Sequence, residues 1–204
     1  NFANDYTDGI ALQTIKLVFE WLEKSVKTAD PEAREKMHNA STMAGMAFAN
    51  AFLGMSHSMA HKIGAVHHTV HGRTNAILLP YVIRYNGTRP SKTTTWPKYN
   101  YWKADEKFQD IAKMLGLPHS TPEEAVEAYA KAVYELGVAV GIKMNFKDQG
   151  IDEKAWKDSL HEIALLAYED QCSPANPRLP MVADMEEIMA DAYYGYGERP
   201  GRRK

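Results

Sequence analysis

His57, His61 and His71 lie in the run Gly54-Met-Ser-His-Ser-Met-Ala-His-Lys-Ile-Gly-Ala-Val-His-His-Thr-Val-His-Gly72. His57 and His61 are four residues apart, so on a helix they share one face. His71 follows ten residues after His61, just before Gly72, where the chain can turn and return toward that face. Imidazole is the commonest protein ligand for a transition metal. A helix face plus a returning segment could aim several imidazoles at one point. The protease signature His-Glu-x-x-His does not fit, because Ser58 follows His57 and no acid lies between the two histidines. Spacing alone also leaves open that these are ordinary hydrogen-bonded histidines.

His67 and His68 are adjacent and cannot both face one side of a regular element, so they read as loop residues. His38, His119 and His161 sit on charged or capping segments and read as solvated. Met43, Met46, Met55 and Met59 read as gap-filling core residues. Cys172, the only cysteine, reads as a packing residue rather than a nucleophile, and it allows no internal disulfide. That cysteine usage suits a reducing, cytoplasmic compartment.

The elements that must position the histidines read as helices throughout. Ala11, Ile15, Val18 and Leu22 form one apolar stripe. Asp30-Pro31-Glu32 supplies an N-cap and a first-turn proline, and the helix it opens is expected to reach about Leu53, with Gly54 as its stop. A short helix then carries His57 and His61. The next is expected from about His71 to Tyr85, ending at Asn86-Gly87. Residues 88–99 hold two prolines and no periodicity, and read as a surface excursion. Helices are expected from near Tyr101 to Gly116, from the Thr121-Pro122-Glu123-Glu124 capping box to about Val140, from Asp152 to Tyr168, and from Val182 to Tyr194. A proline-rich loop, Asp170 to Pro180, joins the last two. The fold class is therefore all-α, a bundle of about seven to eight helices. No dinucleotide Gly-x-Gly-x-x-Gly follows a strand, and no Walker loop is present.

The chain has 204 residues and a formal net charge of −2, which suits one domain and gives no basic footprint for nucleic acid. Asn39 to His61 carries no Lys, Arg, Asp or Glu, but its Asn, Ser, Thr and His content and its small residues indicate a buried helix rather than a membrane span. The basic end, Arg199 to Lys204, reads as a loose tail, and no signal peptide is visible. Asn1 to Leu12 reads as the middle of something, as in a processed or truncated chain.

The segments Thr42 to Gly64 and His71 to Asn86 closely resemble the iron-containing alcohol dehydrogenase family. The loop Asp170-Gln-Cys-Ser-Pro-Ala-Asn-Pro-Arg178 and the ending Ala192-Tyr-Tyr-Gly195 narrow the resemblance to the alcohol dehydrogenase half of bifunctional aldehyde–alcohol dehydrogenases. The resemblance covers essentially the whole chain. It implies that residues 1–204 are a dehydroquinate synthase-like C-terminal helical domain that binds metal.

In this family a divalent iron, sometimes zinc, is held by one Asp and three His. Two of those ligands fall on His57 and His71, while His61 matches a histidine beside the nicotinamide and the substrate. The metal would act as a Lewis acid. His61 would relay the hydroxyl proton. Hydride would pass between NAD(H) and a short aldehyde or alcohol, in a parent protein that is a homo-oligomer. The other two ligands come from an Asp-x-x-x-His segment expected upstream of Asn1, and the family's dinucleotide-binding domain lies earlier still. Neither is in this sequence, so the chain alone is expected to be inactive and weakly metallated. Val70 stands where many relatives have proline, with only a local effect expected. Two other readings stay open: a non-catalytic helical assembly module derived from the family, and a His-rich metal carrier in which His67 and His68 also bind.

Overall fold

The computed structural model describes residues 2–90 and 102–197. Among them every regular element is helical: α1 (Asp5–Thr28), α2 (Pro31–Ala51), α3 (Met55–His67), α4 (His71–Gly87), α5 (Ala104–Met114), α6 (Pro122–Ala139), α7 (Glu153–Tyr168) and α8 (Val182–Tyr194), with a 3-10 turn at Ser173–Ala175. Most of the expected 88–99 excursion and the basic tail lie outside the described residues. Among the described residues no helix is long and apolar enough to cross a membrane.

Side-chain caps set most helix starts. Asp30 Oδ1 accepts from Ala33 N at 2.9 Å to open α2, and Asp152 Oδ1 accepts from Ala155 N at 2.9 Å to open α7. Thr121 Oγ1 accepts from Glu124 N at 3.2 Å to open α6. The Glu124 carboxylate returns to Ser120 N at 2.7 Å, one residue before the cap. Asn4 and Thr7 cap α1 reciprocally, at 3.0 and 2.9 Å.

α1 and α2 form a hairpin that turns at Ala29, in the left-handed region at φ 52°. Their seam is made of small residues at seven-residue spacing: buried Thr7 and Thr14 on α1, and buried Ala33, Ala40 and Ala47 on α2. That spacing keeps one narrow stripe facing a partner helix. The expected α1 stripe is only partly the one used. Ile15 packs on the core together with Leu12 and Phe19, while Ala11, Val18 and Leu22 stay half-buried.

Two apolar cores meet across α4. One is built from α3, α4, α7 and α8, around Met55, Met59, Ile63, Ile77, Leu78, Trp156, Met185 and Tyr193, with Phe146 added from the segment between α6 and α7. The other gathers Ile83, Ile111, Val126, Tyr129 and Ala130 under α1 and α5. Met55 and Met59 fill the first core as expected, but Met46 is 47% exposed near the end of α2.

Gly87 closes α4 against α6, and an added Cβ would overlap both methyls of Val126. Gly45, inside α2, has nothing within 4 Å of the same position. Gly87→Ala should therefore cost about 1–3 kcal/mol through overpacking. Gly45→Ala should gain about 0.5–1 kcal/mol through helix propensity. Urea unfolding of the two variants checks both signs.

Candidate functional site

The start of α3 decides where His57 points. Gly54, its N-cap, has no side chain to cap with, and Asn176 from the 170–180 loop caps the helix instead. Asn176 Oδ1 accepts from Met55 N at 3.2 Å, and its Nδ2 donates to Asn86 Oδ1 at 2.7 Å and to the Arg178 carbonyl at 2.6 Å. Asn176 and Asn86 are both buried, so these bonds replace water that cannot reach them. A Cβ on Gly54 would sit 2.7 Å from Asn176 Oδ1, so the close approach requires glycine here.

One and two turns later, α3 presents His57 and His61, and the first turn of α4 brings in His71. The ring centroids of His57 and His71 are 5.3 Å apart, those of His61 and His71 are also 5.3 Å apart, and the His57–His61 separation is 6.2 Å. The His61 and His71 rings stack, with 14° between their planes. The three histidines singled out in the sequence are thus brought together. The hinge between the two helices is short: His68 adopts φ 54° and Val70 is extended at φ −71°. A proline at 70 would accept that φ, so valine there changes the backbone little. Thr74, one turn into α4, donates to the Val70 carbonyl at 3.0 Å.

Burial, reinforced by the neighbouring His71 and His61, lowers the His57 pKa to about 4. His57 is therefore neutral near pH 7, with a lone pair to offer. On His71, Nε2 accepts from Asn75 Nδ2 at 3.2 Å, and Asn75 Oδ1 in turn accepts from Ser56 Oγ at 2.9 Å. This chain fixes the His71 ring from within α4 and α3. With Nε2 accepting, that lone pair is taken in this arrangement, so a metal would bind at Nε2 only by displacing the Asn75 amide.

Asp170 is the residue that the sequence pattern did not single out. Its side chain is only 7% exposed, and it accepts from His61 Nδ1 at 3.2 Å and Lys62 Nζ at 3.0 Å on Oδ2, from Cys172 N at 3.0 Å on Oδ1, and from the Cys172 thiol. Burial works against its charge, but the Cys172 N–H, Lys62 and His61 outweigh burial and hold its pKa down to about 2. Cys172 stands beside it, 6% exposed. Burial, then the hydrogen bond to Asp170, pushes the thiol up to about 11, so it stays protonated at neutral pH. The expectation that Cys172 is no nucleophile agrees with that, although His61 lies near it. Among the described residues, His61, Asp170 and Cys172 are the one group of three such side chains with ligand atoms all within 4.8 Å of one another. The pairing of 61 with 170 spans 109 positions, and no local periodicity could have shown it.

The remaining histidines are scattered. His67 is the last residue of α3 rather than a loop residue; its Nε2 bonds Ser159 Oγ at 2.9 Å and its ring packs 5.2 Å from Trp156. That bond ties one nitrogen of the ring to α7. His68, His38, His119 and His161 are exposed, and His161 pairs with Glu186.

Comparison with known proteins bears on these residues. The family model described as Fe-containing alcohol dehydrogenase family, C-terminal, matches residues 1–193. The chain is 80% identical over 202 residues to an aldehyde-alcohol dehydrogenase of Streptococcus pneumoniae, covering 99% of this chain and 23% of that protein. It is 61% identical over 192 residues to aldehyde-alcohol dehydrogenase 2 of Entamoeba histolytica, covering 94% and 22%. The chain thus spans under a quarter of the length of these curated relatives. Among solved structures it is similar to 1,3-propanediol oxidoreductase, with TM-score 0.80, 33% identity, and coverage of 95% of this chain and 47% of that one. The iron-containing alcohol dehydrogenase of Thermococcus thioreducens gives TM-score 0.78 and 34% identity, covering 96% and 46%.

The lowered His57 pKa makes stability depend on pH. Its ordinary value is 6.5 and its folded value about 4, so between these the unfolded chain holds more protons. Stability must then fall as pH falls through that window. His67, lowered by burial and then by His68, adds in the same direction. Tm of the metal-free chain should drop on acidification from about pH 6.5 to about pH 4, and His57→Gln should flatten that drop.

Proposed function

The chain belongs to the Fe-containing alcohol dehydrogenase family, and from that membership we propose that it is the helical, metal-binding part of an iron-dependent, NAD-linked alcohol dehydrogenase. Its substrates would be short-chain aldehydes such as acetaldehyde and the matching primary alcohols. The observation that carries this reading is the convergence of His57, His61 and His71 from α3 and α4 in a chain of that family.

His57 and His71 are the residues that would hold the iron. Burial keeps His57 neutral, which suits ligation, and on His71 a metal would compete with the Asn75 amide for Nε2. A divalent iron bound there would supply Lewis acidity toward a carbonyl oxygen. Two imidazoles do not complete a shell. No Asp in this sequence has a His four residues on, so the family's Asp-x-x-x-His pair is not among these residues. No residue of this chain is assigned to the dinucleotide.

His61 would handle the hydroxyl proton. Asp170 holds its Nδ1, which fixes the tautomer and leaves Nε2 to give or take that proton. Lys62 shares the same carboxylate oxygen and keeps the local charge balanced. Asp170 acts through His61 and is a positioning residue.

The test is made at two levels. The chain alone, held anaerobically with ferrous iron, should show no NADH-dependent reduction of acetaldehyde and no iron affinity of micromolar or better; robust turnover would overturn the account of an incomplete shell. In an aldehyde–alcohol dehydrogenase carrying this sequence, His57→Ala and His71→Ala should each strip the metal and abolish the reaction. His61→Gln should leave the metal in place and lower kcat by about 10²- to 10⁴-fold. A parent protein with no metal-dependent NADH oxidation would sink the assignment.

A further inference from the structure

Among the described residues, one group of three side chains brings its ligand atoms together, and it is not the three histidines. His61, Asp170 and Cys172 offer an imidazole nitrogen, a carboxylate oxygen and a sulfur within 4.8 Å of one another. His61 Nδ1 and Asp170 Oδ2 are already 3.2 Å apart. Donor atoms around a tetrahedral zinc stand about 3.5 Å from each other, given bonds of about 2.0 to 2.3 Å. The three side chains therefore need only a small inward movement to share one ion. They come from two rigid supports: His61 from α3, and Asp170 with Cys172 from the loop that follows α7.

We propose that His61, Asp170 and Cys172 form a second metal site, which takes a thiophilic divalent cation such as zinc. The donor set selects the ion. Sulfur and imidazole favour zinc over magnesium or calcium, which prefer oxygen ligands. Three protein ligands leave a fourth position for water. The ion binds with loss of the thiol proton, which leaves to solvent, so the Cys172 sulfur coordinates as thiolate and one positive charge is released for each ion taken up. Lys62 is no obstacle. Asp170 has a second oxygen, and the Lys62 side chain, 29% exposed, has solvent to turn into. This proposal rests on the preceding reading only in its consequence: an ion here occupies His61 and withdraws it from proton transfer.

Cys172 is the only cysteine, so a thiolate-to-metal charge-transfer band reports this site and no other. The full metal-free chain is titrated with cadmium, a spectroscopic stand-in for zinc. One equivalent should raise the band, zinc should compete it away, and magnesium in excess should not. His61→Gln changes a side chain that is 35% exposed, and it should keep the fold while weakening cadmium by more than about a hundredfold, beyond the loss expected for an outer-shell partner. His57→Gln should leave the affinity unchanged. No band at one equivalent, or an affinity indifferent to His61→Gln, overturns the site. An equal loss with His57→Gln also overturns it, since the thiolate would then belong to a centre shared with His57. None of these readouts uses turnover, so failure here is separable from failure of the dehydrogenase reading.

Discussion

The 170–180 loop runs against α3 in a fixed register, and the site depends on that contact. Asp170 meets His61 and Lys62, the hydroxyls of Ser173 and Ser58 share a bond at 3.1 Å, and Asn176 caps Met55 N. Loop residues spaced by three thus meet helix residues about one turn apart, in antiparallel order. Each contact satisfies a polar group that is wholly or mostly buried, so a slip of one position would strand all of them. The prolines at 174, 177 and 180 help hold the loop open, without a helical ladder of its own beyond one 3-10 turn.

This register transmits order to the histidines. Asn176 also binds Asn86, near the C-terminal end of α4, while His71 opens that same helix. α3 and α4 are therefore tied at one end by the Asn pair and at the other by the 68–70 hinge. Pro80 sits buried inside α4, where it cannot donate a backbone hydrogen bond. Packing of Ile77, Leu78, Tyr81 and Val82 against the first core keeps that helix in place. Both rings that would face an iron are thus carried on helices with fixed ends, the placement that gives a site its precision.

Much of this was legible in the sequence, for local reasons. The His57–His61 spacing, the Asp30, Thr121 and Asp152 caps and the Gly87 stop are events within one or two helical turns. The partners of the histidines were not legible. Asp170 is 109 positions from His61, and only the folded register brings them together. Asn75 reads as an ordinary polar residue on a helix, and only the fold sets its amide between Ser56 and His71. His67 was misplaced because adjacency to His68 suggested a loop. In fact the helix ends between the two, with His68 in the left-handed cap position. Met46 follows the apolar pattern of its segment, yet it stays 47% exposed while the alanine stripe of α2 is buried.

His61 belongs to both donor groups, and this links them. Its ring stacks on His71 on one side and is held by Asp170 on the other. While Asp170 holds Nδ1, Nε2 is left for proton transfer. An ion shared with Cys172 would claim a lone pair of the same ring and redirect the Asp170 carboxylate. The two arrangements are mutually exclusive uses of one side chain, and what separates them is the ion supplied. An oxygen- and nitrogen-seeking metal gains nothing from the sulfur, while a thiophilic one does. The position of Cys172, two residues beyond the carboxylate that orients His61, gives this site its sensitivity to metal identity.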